Sequence, residues 1–194
     1  MKRLEGKHAF KSGLIVLFAL ISFVLIIAIV IRIGEFKKLS YDVNIKFDTT
    51  DVIYLTNKLP ISDAIGKSYT GTGMEKNIAE YKKFVVTNPN EGKIEYEIYL
   101  KKIENSKRDI SSNYIKLYLT DDNDNPMKGF EKPKVNSYYD LYSLNNQPGS
   151  KLLYRGTLKA HESAKFILRS WVADTYIISS DLEDFSFDID VRIK

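Results

Sequence analysis

The sequence predicts a mainly β protein, in which an N-terminal transmembrane helix precedes an antiparallel β-sandwich of the Ig-like or jelly-roll kind. Three observations lead to this fold class. A run of 20 residues without charge, 12–31, comes first. Apolar and polar residues then alternate in seven or eight short segments, and polar turns separate those segments. One-face apolar strands of this length are typical of two packed sheets.

The first element is the uncharged run from Ser12 to Ile31, which is dominated by Leu, Ile, Val and Phe. As a helix it is ~30 Å long, which matches the hydrocarbon core of a bilayer. The alternative is a cleaved signal peptide, whose apolar stretch runs only ~7–15 residues before a small-x-small site. Residues 27–31 contain no Ala-x-Ala pattern. We therefore expect a retained anchor over 12–33, a cytoplasmic segment over 1–11 and a spacer over 34–39.

Charge is distributed unevenly along the chain, whose formal net charge is +4. Residues 1–38 carry +5 and the remainder carries −1, so a basic domain that grips nucleic acid is not expected. Four basic residues precede the apolar run and three follow it, a small bias that places the N-terminus inside and the C-terminal domain outside a cell membrane. The absence of cysteine excludes disulfides and thiol nucleophiles.

The second element is the predicted extracytoplasmic domain, residues 40–194. The alternation is clearest near its end, where Phe185, Phe187 and Ile189 alternate with polar residues. No strand–helix–strand alternation with glycine-rich turns occurs, which argues against a doubly wound nucleotide-binding fold. Two long connections, 56–78 and 121–150, are places where function often lies. The predicted strands cover 41–47, 52–55, 84–87, 94–100, 115–119, 152–158, 164–172 and 185–193.

The acidic segment 121–125 is a candidate site for metal binding. Asp121, Asn123 and Asn125 occupy the first, third and fifth positions of an EF-hand loop. The sixth position is Pro126 and the twelfth is Lys132, where an EF-hand needs Gly and Glu, so an EF-hand is excluded. A polar hairpin turn is expected; a looser Ca²⁺ site, alone or shared with the acidic residues 181–184, is the alternative, and no other cofactor is expected.

Catalytic patterns are weak, and we expect no enzyme. His161 is the only histidine of the outer domain and lies in a predicted turn, and no Gly-x-Ser-x-Gly elbow occurs. Glu95 and Glu97 share a strand face that alternation assigns to solvent. A carboxylate pair formed in space stays an alternative, because such pairing is not visible in sequence.

Aromatic residues provide the candidate binding surface. Tyr138, Tyr139 and Tyr142 cluster within the second long connection, and Trp171 ends an unusually apolar strand. Aromatic side chains of this kind anchor protein partners when they are exposed. For Trp171 two positions are open: strict alternation places it beside Ile167 and Arg169, so it is either a core residue or an exposed anchor.

Two stretches carry a resemblance. Residues 81–90 followed by 94–100 are similar to the strand, Asn-rich turn, strand arrangement of secreted Ig-like and jelly-roll modules. Residues 153–158, the turn 160–163 and the strand ending in Trp171 are similar to the same class. Behind a hydrophobic N-terminal segment, this layout over residues 40–193 resembles the TasA/camelysin-like family of Gram-positive surface and biofilm-fibre proteins.

The resemblance implies a bacterial surface protein, with two departures. The family's leader is cleaved, whereas this apolar run is predicted to be retained, and no ligand set matches the metal-dependent proteolysis credited to camelysins. Together these inferences predict a single-pass bacterial envelope protein that contacts the bilayer through 12–33. Its non-catalytic β-sandwich binds a protein partner or copies of itself, and binds no nucleic acid. A carbohydrate- or wall-binding module and a metal-dependent envelope enzyme are the alternatives.

Overall fold

The computed structural model divides the chain by its backbone contacts into two compact units, Met1–Ser40 and Tyr41–Lys194. The residues that the structure describes are 20–27, 41–72, 78–104, 108–144, 149–178 and 183–194.

In the first unit, residues 20–27 are helical and their large aliphatic side chains are exposed. Within the described parts of the chain, no helix has the length and apolar character needed to cross a bilayer. The predicted segments 1–11 and 34–39, and most of the predicted anchor 12–33, lie outside the described residues. The transmembrane helix therefore stays a prediction.

The second unit is mainly β and contains two five-stranded antiparallel sheets, which confirms that part of the predicted fold class. Every segment predicted as a strand contains one. Sheet A runs in the order β1 (Asn44–Phe47), β3 (Ala79–Thr87), β10 (Ser163–Val172), β6 (Ile115–Thr120) and β7 (Asn136–Ser137). Sheet B runs in the order β2 (Val52–Tyr54), β12 (Ser186–Ile193), β4 (Ile94–Ile103), β9 (Ser150–Leu158) and β8 (Tyr142–Ser143). The described residues of this unit also contain a short parallel pair, β5 (Arg108–Asp109) with β11 (Glu183–Asp184), and a helix, Asp63–Ser68.

The core lies between the two sheets and is filled by the apolar residues of each alternating strand. Phe84 and Phe166 face each other across β3 and β10, and their rings stack with centroids 5.3 Å apart. Tyr154 of sheet B reaches Phe166 of sheet A at 5.6 Å. Because side chains of both sheets pack in one cluster, the arrangement is that of a β-sandwich.

Two of the chain's passages between the sheets occur at their edges. Residues 48–51 lead from β1 at the edge of sheet A to β2 at the edge of sheet B, and residues 138–141 lead from β7 to β8. The four edge strands are only two to four residues long. Short edges leave few unpaired backbone groups and limit uncontrolled pairing with other chains.

A buried asparagine joins two further passages, the turn after β3 and the turn after β9. Asn88 is fully buried, and its side-chain amide donates to the carbonyls of Gly92 and Lys159, each at 2.7 Å. Its side-chain oxygen accepts from the backbone of Asn90 at 3.0 Å. Asn90 in turn donates to the carbonyl of Asp42 at 2.6 Å. The beginning of the second unit is therefore tied to both turns by one amide network.

Part of the outer face of sheet A is covered by the chain itself. The helix Asp63–Ser68, capped by the Ser62 side chain, packs Gly66 against the Trp171 ring, and Trp171 has no exposed surface. Beside it, the Arg169 guanidinium donates to the Tyr69 carbonyl at 2.7 Å. Trp171 is therefore a core residue, the first of the two predicted positions, and it belongs to a second buried cluster with Ile61, Tyr69, Ala79 and Val135. It is not the surface anchor that was the alternative, because the helix within residues 56–78 covers it.

Gly66 provides a test of this cover. A Cβ added there would lie 2.3 Å from two ring atoms of Trp171, so we expect Gly66→Ala to lower the free energy of unfolding by about 1–3 kcal/mol through overpacking. Urea denaturation followed by tryptophan fluorescence measures the change. Gly92→Ala is the control, because its Cβ would meet Tyr41 at 3.4 Å, an ordinary contact. An equal loss in both variants would show that the helix does not rest on Trp171.

Candidate interaction surface

The tyrosine cluster predicted from the sequence is divided between the core and the surface. Tyr138 is 3% exposed, whereas Tyr139 and Tyr142 are each 63% exposed. The Tyr138 ring meets Phe185 edge-on at 5.0 Å, and its hydroxyl donates to the Gly149 carbonyl at 2.9 Å. Tyr138 thus belongs to the core and not to the predicted binding surface, because its ring fills space between the sheets and its hydroxyl is already bonded there.

The two exposed tyrosines are carried by an ordered turn and edge strand. The backbone N–H and the hydroxyl of Ser137 donate to Asp140 at 2.9 and 2.7 Å, and these hydrogen bonds lower the pKa of Asp140. Lys151 donates to the carbonyls of Tyr139 and Leu141 at 3.3 and 3.1 Å, and its ammonium lies 5.7 Å from the Tyr139 ring centroid. These contacts hold the exposed rings on a fixed backbone, which reduces the entropy lost on binding.

Tyr142 begins a row of side chains across the outer face of sheet B. It faces Leu152 across β8 and β9, Leu152 faces Tyr99 on β4, and Tyr99 faces Asp190 on β12. Directly opposed residues of antiparallel strands point to the same face. β9 contains a β-bulge in which Leu153 is the extra residue. It lies between the pair Leu152–Tyr99 and the pair Tyr154–Ile98 and shifts the register of β9 against β4.

A charged row lies beside it, centred on Glu97, which faces Arg155 on one side and Arg192 on the other. The Arg155 Nε lies 2.6 Å from one Glu97 carboxylate oxygen, and the Tyr99 hydroxyl donates to the other. The Arg192 guanidinium lies over the Tyr99 ring, 5.3 Å from its centroid, and donates to Asp190 at 2.7 Å. Each group thus fixes the orientation of the next.

Glu97 lies on the outer face, as alternation predicts, but its side chain is not exposed to solvent. Glu97 is 8% exposed and Tyr99 is 5% exposed, because neighbouring long side chains cover them. Burial alone would raise the pKa of Glu97, but the hydrogen bonds from Tyr99 and Arg155 and the Arg155 charge lower it below 4.5. Burial, followed by the bond to Glu97, raises the pKa of Tyr99 to about 12. At neutral pH the pair is a carboxylate accepting from a neutral phenol.

We call this surface the tyrosine–arginine face and define it by Tyr99, Leu152, Tyr142, Arg155 and Arg192. Tyrosine and arginine are the residue types enriched at the energetic centres of protein interfaces. Sequence reasoning found only Tyr142 of this set, because the rows combine strands far apart in the chain. The sequence does contain one signal of this surface. Glu97 and Tyr99 are two residues apart on one strand, as are Asp190 and Arg192, so each pair lies on one face of its strand.

The candidate calcium segment forms a turn in which the carboxylate of its first residue, Asp121, already accepts hydrogen bonds from the turn itself. Asp121 accepts from the backbone of Asn123 and of Asn125, each at 2.9 Å, and from the Asn125 side-chain amide at 2.9 Å. These bonds lower the pKa of Asp121 and are those of an Asx-type turn. In the described part of the chain, no three His, Asp or Glu side chains are grouped to hold a metal ion. Asp181 of the second acidic group lies outside the described residues.

Comparison with known proteins finds no match for the chain among protein families, curated proteins or solved structures. The resemblance to the TasA/camelysin-like family is therefore neither supported nor contradicted, and it stays a prediction. The assignment of function depends on the geometry of the described residues and on the sequence.

Acid titration tests the Glu97 contacts. The folded pKa of Glu97 lies below its ordinary value of 4.5, so its contribution to stability is full above that value and is lost as the pH falls through the folded pKa. We expect Glu97→Gln to lower the free energy of unfolding at pH 7 and to flatten its decline between pH 5 and pH 3, relative to the unmodified chain. Urea unfolding at a series of pH values measures both.

Glu95→Gln is the matched control, because Glu95 is exposed and lies 3.6 Å from an exposed Lys194. Exposed pairs of this kind contribute little to stability. If both substitutions change the decline of the free energy of unfolding between pH 5 and pH 3 equally, the special role of Glu97 is contradicted.

Proposed function

We propose that the chain is a single-pass protein of the bacterial cell envelope, whose extracytoplasmic β-sandwich binds a protein partner or copies of itself without catalysis. The tyrosine–arginine face is the contact surface. The observation that carries the proposal is the combination, on one sheet face, of an exposed Tyr142 with ordered Arg155 and Arg192 around a satisfied polar pair.

Membrane attachment is supported by the sequence. The uncharged run 12–31 has the length of a bilayer-spanning helix and no cleavage-site pattern. Basic residues before it favour an inside N-terminus. Residues 41–194, which follow after a short spacer, would then be displayed outside the cell close to the membrane.

Protein binding is supported by the edge of sheet B as well as by its face. β8 is only two residues long, but it pairs with β9 on one side only, so the few backbone groups on its other side are available to a partner strand or loop. The Tyr142 side chain stands at this edge, 63% exposed. A partner contacting the edge would therefore meet both backbone hydrogen-bonding groups and an aromatic anchor.

A carbohydrate- or wall-binding module is the second candidate. Tyr139 and Tyr142 are exposed to the same extent, and exposed aromatic rings on a fixed backbone stack against sugar rings. Binding of the purified chain to a glycan array, lost in Tyr139→Ala, would favour this function over protein binding.

Membrane attachment has a direct test. In cells expressing the chain we expect it in the membrane fraction after alkaline carbonate extraction, with the C-terminal domain accessible to protease added outside intact cells. A chain lacking residues 1–38 is the control and should leave the membrane fraction. Release of the full chain by carbonate would contradict an integral anchor.

Contact through the tyrosine–arginine face is tested by Tyr142→Ser. Loss of a central aromatic contact is expected to weaken self-association or partner capture about tenfold, which corresponds to about 1.4 kcal/mol. Sedimentation velocity in detergent and chemical crosslinking in cells followed by mass spectrometry are the measurements.

Tyr54→Ser is the matched control, because Tyr54 is 55% exposed on β2, the opposite edge of the same sheet. Equal weakening in both variants, or none in Tyr142→Ser, would contradict the assignment of the surface. Thermal unfolding of each variant shows whether the fold is retained.

A further inference from the structure

We propose that the part of the outer face of sheet A lined by Lys46, Lys83, Val85, Lys165 and Ile167 docks an extended peptide segment of a partner protein, rich in both carboxylate and apolar side chains. This inference rests on the proposed function, since it assumes a protein partner, and it adds the chemistry of that partner. The site lies on the opposite sheet from the tyrosine–arginine face, so the two are tested separately.

The site begins where the chain's own cover ends. The helix Asp63–Ser68 and the described residues after it lie over Trp171 and Arg169, and Gly71 lies against Tyr81. Further along the same strands, Val85 is half-buried and Ile167 is only 3% exposed. The sheet face thus continues as a shallow depression of about 280 Å³ with these two side chains among its lining.

Three lysines, Lys46, Lys83 and Lys165, surround the apolar floor formed by Val85 and Ile167. We call these five residues the lysine trough. Lys46, Val85 and Lys165 face one another across the adjacent strands β1, β3 and β10. Strand spacing places the backbones of the two lysines ~10 Å apart, with Val85 between them. Lys83 faces Ile167 in the next row along the strands. All three lysines are exposed.

The charge of the trough is not neutralised by its own carboxylates. Lys165 lies 3.1 Å from Asp122, and both side chains are about half exposed or more, so the pair is readily exchanged for another anion. Lys83 lies 5.5 Å from the Tyr81 ring centroid. Lys46 has no ion-pair partner among the described residues. Besides Asp122, the charged lining contains one other carboxylate, Asp48, against three ammonium groups.

The apolar floor of the trough and the lysines around it together indicate which kind of ligand fits. An inorganic polyanion would use the ammonium groups and leave the apolar floor unoccupied, whereas an apolar peptide would bury the floor and leave the ammonium groups without counter-charges. An extended peptide with both kinds of side chain on one face matches both parts. The cover that this chain places over Trp171 shows that the same sheet face accepts a polypeptide segment.

The probe is a fluorescent 12-residue peptide of repeating Glu-Glu-Val-Val, because each face of this extended peptide then carries carboxylate and apolar side chains alternately. Fluorescence anisotropy with the full chain in detergent measures its affinity. We expect saturable binding that weakens with salt. A Gln-Gln-Val-Val peptide should bind at least tenfold more weakly.

Two variants locate the binding site. Lys46→Glu combined with Lys83→Glu should weaken peptide binding at least tenfold, and Val85→Thr, which keeps the side-chain shape and removes an apolar methyl, should weaken it severalfold. The matched control combines Lys93→Glu with Lys159→Glu, two exposed lysines outside the trough, and should change affinity less than twofold. Thermal unfolding confirms that each variant is folded.

Several outcomes would overturn the inference. They are an absence of binding, equal weakening by the control pair, equal binding of the Gln-Gln-Val-Val peptide, and inorganic polyphosphate binding as tightly as the acidic peptide. Loss of the peptide in Tyr142→Ser with retention in the trough variants would place it on sheet B, which contradicts this inference and leaves the proposed function standing. Failure of the Tyr142→Ser test with trough binding intact contradicts the tyrosine–arginine face alone.

Discussion

The domain depends on how its chain passes between two sheets, and the Asn88 amide is the interaction that fixes those passages. A buried carbonyl without a partner costs about 1–3 kcal/mol, and the turn after β3 and the turn after β9 would each leave one at this end of the sandwich. Asn88 satisfies both with a single side chain at 2.7 Å. Asn90 extends the same network to Asp42, so the geometry of both sheets is set where the domain begins.

The two outer faces differ in the side chains and segments that lie over them. Sheet A carries Trp171 and Arg169 under a short helix, and its remaining surface is apolar with a lysine rim. On sheet B, long side chains of the sheet itself close over Glu97. A single fold therefore presents two surfaces of different chemistry, one suited to aromatic and arginine contacts and the other to acidic segments.

The strands could be predicted from the sequence because a period of two is local information, and each of the eight predicted segments contains a strand. The short helix was missed because its signal is only Ser62 followed by Asp63 within a glycine-containing connection. Alternation correctly predicts that Glu97 lies on the outer face of its sheet. It does not predict that the side chain is buried there, because its partner Arg155 lies 58 positions away in the sequence. Tyr138 and Tyr139 show the same limit: adjacency in sequence does not reveal which ring a turn directs inward.

The bulge in β9 has a consequence for how the domain can vary. Leu152 points outward and Tyr154 inward, although they are two residues apart, because Leu153 is inserted between their partners on β4. Deletion of Leu153 would restore regular pairing of β9 with β4. Leu152 would still point outward and Tyr154 inward, because adjacent residues of a strand point to opposite faces. A chain one residue shorter at this position would therefore keep inside and outside unchanged, and its cost would be the loss of the Leu153 side chain, which is packed in the core.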